Sequence, residues 1–522
     1  MALGTILWVD DEIDSLHSHI LFLQNKGYEV KAMTNGLDAI DFVKENPVDV
    51  VLLDESMPGI SGLETLAKIK EANQQIPVVL ITKNETENLM DEAIGRQITD
   101  YLIKPVNPNQ VLLSLKKIID NKRLVAETTT TAYQQQFREL FMAFNSNPDF
   151  TEWMDIYKKL VYWELEMEKS NSPEMQEVFQ TQKQEANTEF FKFISKNYTK
   201  WVSPKSTQAP VMSHSLLRNK VFPNLEKGVP LFFVLIDNLR FDQWKAIQPV
   251  FAQSFRIQAE ETFYSILPTA TQYCRNAIFA GLMPADISLQ FPSQWKNDDE
   301  DGGKNMAEEE FFRAQLKKLK MDHLKSSYTK VVNHQAGQDL VNNILNLMNN
   351  DINVIVYNFV DMLSHARTEM EVLKELAGDE ASYRSLTASW FEHSPLHQAL
   401  KKISEKKITI VLATDHGSVR VKTPCKVIGD KQTTANLRYK HGRNLNYEPK
   451  EVLAFRDPKE AGLPVPTINS SFIFAKGDGF LCYPNNYNYF ANYYRNSFQH
   501  GGVSMEEMII PVIKMTGKFG NS

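Results

Sequence analysis

The chain has 522 residues, is 43% hydrophobic and 23% charged, and carries a net charge of −7, the composition of a globular protein with core enough for about three domains. Three scattered cysteines, Cys274, Cys425 and Cys482, exclude a disulfide framework or a Cys-rich zinc knuckle and suit a reducing compartment. No apolar run approaches a membrane span and no signal-peptide pattern opens the chain, so a cytoplasmic protein with no membrane span is expected.

The charge is unevenly placed. Residues 1–120 hold 10 Lys+Arg against 19 Asp+Glu, net −9, and the remaining 402 hold 47 against 45, net +2. Segment 121–205 has 11 basic and 12 acidic residues, which gives no footprint of a DNA-binding domain and disfavours a transcription factor.

In chain order, residues 1–120 alternate β-branched runs with helical periods. TILWVD, YEVKAM, VDVVLLD, PVVLIT and DYLIK are predicted strands. Helices are expected around Ile13–Lys26, Gly36–Glu45, Gly62–Ala72, Glu85–Gly95 and from Asn107 to about Asp120. Five strands alternating with five helices predict a doubly wound parallel sheet, whose ligands bind at the carboxyl ends of its strands. Asp10, Asp11, Asp54, Thr82 and Lys104 fall at such ends, and clustered carboxylates make sense around a hard cation such as Mg2+.

WVDDE, LLDESMPG, LIT and DYLIKP in that order resemble a two-component receiver domain of flavodoxin-like fold. The resemblance implies phosphorylation on Asp54, Mg2+ held by Asp10, Asp11, Asp54 and the Ser56 carbonyl, Thr82 and Tyr101 as switch residues, and Lys104 paired with the phosphoryl group. It also implies a sensor histidine kinase as partner. Asp54 is then a nucleophile made competent by charge neutralisation around the transferred group.

From about Lys116 to Trp201 helical periods dominate. Breaks at Asn145–Pro148 and Lys169–Pro173 predict three helices: the preceding one extended to about Phe144, then 149–168, then 173–200. Trp153, Tyr157, Leu160 and Val161, like Phe190, Phe191 and Ile194, recur at helical spacing; the faces read as helical-bundle core or as a dimerisation surface. The expected domains are 1–120, 121–205 and 206–522, with 203–210 as linker.

A second α/β pattern follows. Strands at 231–237, 353–361 and 408–416 each run into an aspartate, Asp237, Asp361 and Asp415, with His416 beside the last. Asp361 and His365 are four apart, one helical face. Thr271, in LPTATQYCR, falls at the start of a predicted helix towards Gly281, where its hydroxyl and free backbone N–H groups could meet a phosphate.

IDNLR, PTATQ, VDMLSH, TDHG and QHGGVSMEE stand in the order of the alkaline phosphatase superfamily and resemble its PglZ-type domains. That resemblance implies two Zn2+ ions. One would be held by Asp237, Thr271, Asp415 and His416, the other by Asp361, His365 and His500, with Thr271 as nucleophile. Ala280-Gly281 replaces the Thr-Gly of many relatives, and no arginine matches a fixed monoester clamp, although Arg240 and Arg275 are near in sequence. Met505, Glu506 and Glu507 read as support for the site.

Three stretches bear on substrate. Arg420, Lys422, Lys426, Lys431, Arg438, Lys440 and Arg443 against Asp430 suggest either a basic loop for a nucleotide or oligonucleotide, with Arg438 and Arg443 as contacts, or a solvated loop. Asp298–Asp301 with Glu308–Glu310 reads as a mobile surface insertion, and the tyrosines of 485–496 as aromatic core at a domain edge or as a surface on which bases stack.

The whole arrangement resembles PorX-type response regulators, which implies a role in type IX protein secretion and contact with the secretion motor or a sigma factor. Separately, the shift of Thr82 and Tyr101 on phosphorylation and the helical faces lead to the expectation of a phosphorylation-dependent homodimer. The expected function is a zinc-dependent phosphodiesterase acting on nucleotide or oligonucleotide phosphodiesters. The alternative is a catalytically weak metal-binding module that signals by protein–protein contact.

Overall fold

The computed structural model describes residues 3–73, 76–83, 98–170, 173–203, 206, 208–298, 300–358, 360, 363, 378–430, 434–467 and 469–518. The chain forms two compact units, Met1–Gln134 with Lys169–Ser172, and Gln135–Glu168 with Pro173–Ser522. Most of the helical segment expected at 121–205 therefore belongs to the second unit. No helix among the described residues is long and apolar enough to cross a membrane.

In the first unit, strands β1 (Thr5–Val9), β2 (Glu29–Met33), β3 (Val50–Asp54), β4 (Val78–Thr82) and β5 (Asp100–Ile103) form one parallel sheet in the order β2-β1-β3-β4-β5. Alternation feeds two cores: Leu7, Val51, Leu53 and Leu80 pack on one face, and Ile6, Trp8, Leu52 and Ile81 on the other. Helix starts are written locally. Asn35 accepts from the Asp38 N–H to open α2 (Gly36–Glu45) after α1 (His17–Asn25). A Ser61–Glu64 capping box opens α3 (Gly62–Ala72), and Asn107 caps α4 (Pro108–Leu115), whose first residue is proline. The helix expected over Glu85–Gly95 lies outside the described residues.

Helix α5 covers Asn121–Asn145, α6 Phe150–Ser170 and α7 Pro173–Val202. The aromatic faces of α6 and α7 are buried within the second unit itself. Trp153 packs edge-on against Phe190, Tyr157 lies against Phe241, and Phe190 and Trp201 both contact Tyr264. Their burial against the following α/β layer corrects the reading of these faces as a dimerisation surface, because the chain covers them with its own residues.

That layer is a mixed six-stranded sheet built on β6 (Leu231–Ile236), β7 (Phe255–Tyr264), β8 (Ser326–Val331), β9 (Ile352–Tyr357) and β10 (Thr409–Ala413). Its order is β7, the C-terminal strand Ile509–Gly517, β10, β6, β9, β8; the last four run parallel and the other two antiparallel to their neighbours. β6, β9 and β10 are wholly buried, as their unbroken apolar runs require. β9 stops at Tyr357 rather than running to 361, and β10 stops at Ala413, two residues before Asp415.

Candidate functional site

In the first unit, the carboxyl ends of β1, β3 and β5 bring Asp10, Asp54 and Lys104 together. The Lys104 ammonium lies 2.9 Å from Asp10 and 3.0 Å from Asp54. Burial pushes the Asp54 carboxyl above its ordinary pKa, against the opposing pull of its Lys104 hydrogen bond, while nearby Asp10 and Asp11 raise it further. Asp10, Asp11 and Asp54 place carboxylate oxygens within 4.8 Å of one another, a donor set that fits a hard, oxygen-seeking cation. A cleft of about 410 Å3 opens beside them, between Asp10, Glu12, Lys104 and His19. Thr82 directs its hydroxyl to Glu55 at 3.3 Å, Ser56 is exposed with its hydroxyl also on Glu55, and Tyr101 is 40% exposed.

In the second unit, Asp237 follows β6 and Asp415 and His416 follow β10, strands hydrogen-bonded to each other. All three side chains are buried, and their donor atoms lie within 4.8 Å of one another. After α8 (Phe241–Ser254), Thr271 is the first residue of α9 (Thr271–Ala280), which ends on Gly281 in the left-handed conformation at φ 62°. Its hydroxyl lies 2.9 Å from His416 Nε2 and 3.3 Å from Asp237.

Two backbone carbonyls set the imidazoles. His416 Nδ1 is 3.0 Å from the Gly417 oxygen and His500 Nδ1 is 3.1 Å from the Thr269 oxygen. A carbonyl only accepts, so each Nδ1 carries a proton, and in the neutral imidazole that leaves Nε2 the lone pair a metal ligand needs. The two rings stack with centroids 4.2 Å apart. Oxygen and imidazole donors in this grouping fit Zn2+. Asp361 and His365 lie outside the described residues.

Sequence reasoning missed what surrounds this cluster. Arg275, expected as a substrate contact, is 2% exposed and lies 3.1 Å from Asp237, 3.6 Å from Asp415 and 2.9 Å from Glu308. It offsets ligand charge instead, because a buried guanidinium stays where its carboxylate partners are. Arg240 is likewise buried, held by Asp242 and Glu380. Arg438 is fully buried, with Nε and Nη2 on the two oxygens of Glu507 at 3.1 and 2.6 Å. Of the four candidate arginines, Arg443 alone is exposed.

The basic stretch includes two strands, Thr423–Ile428 and Tyr439–Gly442, with Lys440 buried; Lys431 lies outside the described residues. The acidic insertion is no loose surface loop. Asp298 accepts from the Tyr273 and Tyr439 hydroxyls, and Asn305 reaches the Thr271 carbonyl at 3.2 Å. Glu308 is 1% exposed, and Lys330 joins Arg275 on it at 2.9 Å. The tyrosine-rich segment is a helix, Tyr487–Tyr494, whose Tyr489 is 64% exposed rather than core.

Together the units define a response regulator: a receiver domain joined through helices to an alkaline-phosphatase-like α/β domain. The chain belongs to the PglZ family, since the model of the BREX system PglZ alkaline phosphatase-like domain matches residues 216–515, more than half of its length. The PorX response regulator linker domain matches 123–202 and the response regulator receiver domain 6–116, which is the arrangement of PorX-type response regulators. Among curated proteins, the chain is similar to the phosphoglycerate transport system transcriptional regulatory protein PgtA of Salmonella typhimurium, 28% identical over 30% of this chain and 36% of that one. It is also similar to the transcriptional regulatory protein ZraR of Klebsiella oxytoca, 37% identical over 25% of this chain and 30% of that one. The chain thus spans about a third of the length of these relatives. Among solved structures it is similar to a receiver domain from Clostridium thermocellum (28% identity, 23% of this chain, 98% of that one, TM-score 0.22). Chemotaxis protein CheY4 of Vibrio cholerae is another (27%, 22%, 99%, TM-score 0.22).

Proposed function

We propose that the protein is a response regulator phosphorylated on Asp54 by a partner sensor kinase, whose output is a zinc-dependent phosphodiesterase acting on nucleotide or oligonucleotide diesters. The observation that carries the reading is the convergence of the Thr271 hydroxyl, at a helix N-terminus, on His416 and Asp237 at 2.9 and 3.3 Å.

In the receiver, an Asp54 oxygen forms the bond to phosphorus as the bond to the donor imidazole breaks, and Lys104 lies close enough to both Asp54 and Asp10 to share the charge that arrives. Asp10, Asp11 and Asp54 would hold Mg2+, which would neutralise the remaining negative charge.

In the hydrolase, Asp237, Asp415 and His416 would hold one zinc, and His500, with Asp361 and His365, the other. The ions would supply Lewis-acid stabilisation of the attacking and leaving oxygens. Thr271 Oγ1 forms the bond to phosphorus, the ester alcohol leaves, and water then releases the threonine from its covalent phosphate. The N-terminal end of α9, which carries Thr271, favours an anionic group beside that hydroxyl. Arg275 holds Asp237 and Asp415 apart from mutual repulsion, so the ligand set is arranged beforehand.

Arg240, Arg275 and Arg438 are all committed to carboxylates, which leaves none of the three to pair the second charge of a terminal phosphate. Diesters are therefore the preferred class. The test is turnover of bis(p-nitrophenyl) phosphate by zinc-loaded protein beside p-nitrophenyl phosphate. Thr271→Ala should lower the diester rate by at least about a thousandfold. A variant that keeps wild-type turnover, or better kcat/KM on the monoester, sinks the reading.

Self-association is proposed to follow phosphorylation and to use the receiver face of β5 and α4, where Tyr101, Ile103 and Leu113 are exposed. Roles in type IX protein secretion, with the secretion motor or a sigma factor as partner, rest on the PorX-type arrangement alone.

A further inference from the structure

Outside the ligand cluster, buried charge gathers where α6 and α7 meet the segment after His500. Glu164 of α6, Lys183 and Asn187 of α7, and Glu506 are each less than a tenth exposed. Lys183 lies 2.8 Å from Glu164 and 3.1 Å from Glu506. Asn187 donates to the Glu506 carboxylate at 3.1 Å and accepts from the Met505 N–H at 2.9 Å. One turn of α7 thus grips both the side chain and the backbone of residues 505–506.

On its other side that backbone meets the residue after His416. The Gly417 N–H donates to the Glu507 carbonyl at 3.2 Å. A Cβ on Gly417 would lie 2.0 Å from the Glu506 carbonyl oxygen, so the two backbones have no slack between them. The Gly417 carbonyl in turn holds His416 Nδ1 at 3.0 Å. The path from α7 to the imidazole is continuous and runs entirely inside the second unit.

Apolar side chains would hold α6 against α7 at least as firmly, since a buried ion pair adds little stability over well-packed hydrophobic groups. What charge and amide groups add is a single allowed register. We propose that Lys183 and Asn187 are positioning residues for His416, acting through Glu506 and Gly417, so that the helical segment sets the geometry of the hydrolytic site. A shift of α7 that breaks its hold on Glu506 would then reach the imidazole without any change in the sheet.

Hydrogen–deuterium exchange of the full-length protein tests this without needing metal or turnover. Asn187→Ala removes the bonds to Met505 and Glu506 and leaves Lys183 in place. Amides 415–418 and 500–508 should exchange at least tenfold faster in the variant, with β6 at the wild-type rate. Acceleration confined to 503–508 overturns the proposal. If the variant does not fold, native-state exchange of the wild type in rising urea decides the matter: amides 183–190, 415–418 and 503–508 should open together, and separate opening overturns it. A kinetic arm rests on the phosphodiesterase reading. Asn187→Ala should lower kcat on bis(p-nitrophenyl) phosphate about tenfold with KM within twofold, and an unchanged kcat also overturns the proposal. Absence of turnover in the wild type counts against the hydrolase reading instead, and the exchange result still stands on its own.

Discussion

Arg438 offers the sharpest separation between a substrate contact and a structural ion. Its guanidinium is 0% exposed, meets both oxygens of Glu507 and donates to the Gly479 carbonyl. Glu507 in turn accepts from the Gly502 N–H at 2.9 Å and the Ser504 hydroxyl at 2.7 Å, so it anchors the turn after His500. Arg438→Met removes the cation and leaves a buried carboxylate. Breaking such a pair costs about 3–5 kcal/mol, and because Glu507 keeps neutral donors the lower end, about 3, is expected. The second unit contains roughly 380 residues, for which the unfolding entropy is about 0.8 kcal/mol/K. The midpoint of its calorimetric transition should therefore fall by about 4 °C. Arg443→Met, on an exposed side chain, should leave the midpoint where it is. A midpoint within 1 °C or so of wild type for Arg438→Met, accompanied by a raised KM for a diester, would refute the reasoning and return Arg438 to the substrate.

Protein purified without chelator should carry close to two equivalents of zinc, and His500→Ala should lose about one of them; elemental analysis showing no zinc sinks the ligand assignment. Beryllofluoride with Mg2+, standing in for the phosphoryl group on Asp54, should shift the protein from monomer towards dimer, and Asp54→Ala should abolish the shift while zinc content is retained; an unchanged sedimentation coefficient across concentration rules this out. Burial, only partly opposed by Asp286, pushes His214 down to about 4, whereas the unfolded imidazole protonates near about 6.5. Stability from this group is full above the unfolded value and falls as pH drops towards the folded one, by about 2 kcal/mol between pH 7 and pH 5. In His214→Asn that part of the acid sensitivity should vanish from urea unfolding of the second unit, and an equal loss in both proteins refutes the assignment.

The receiver was legible almost throughout, for a physical reason. Strands β1, β3 and β4 are short and almost wholly buried, and α2, α3 and α4 open on side-chain caps, so Asp10, Asp54 and Lys104 could be placed at strand ends from the pattern of runs and breaks. The same logic placed Asp237 and Asp415 at strand ends on one sheet edge, while their standing side by side comes from β6 and β10 being neighbours in the sheet, which the runs themselves do not give. It erred on strand length at β9, where Phe359 and Val360 follow Asn358 in the sequence and prolong the strand-like pattern, although β9 ends at Tyr357. Apolar residues after a strand end can belong equally to the next element, and periodicity has no means of telling them apart.

Charge was read less well than hydrophobicity. Glu308 in an acidic tract was read as mobile surface and Arg438 in a basic one as a substrate contact or as solvated, since a run of like charges has no local partner. Their partners come from far along the chain: Arg275 for Glu308, and Glu507, 69 residues away, for Arg438. Local pattern decides whether a residue starts a helix or fills a sheet face, but the fate of a charge is decided by whichever opposite charge the topology delivers. Here the topology delivers them around the ligand residues. Arg275 stands against Asp237 and Asp415, Glu507 against the turn carrying His500, and Glu506 against Gly417. A site whose ligands are themselves buried carboxylates and imidazoles needs such neighbours, because uncompensated charge in the interior either shifts its proton or moves its side chain. The misread charges, Arg275, Glu308 and Arg438, therefore join Glu506 and Glu507 as supports of the site, and their substitution should disturb the ligand residues before it disturbs the sheet that carries them.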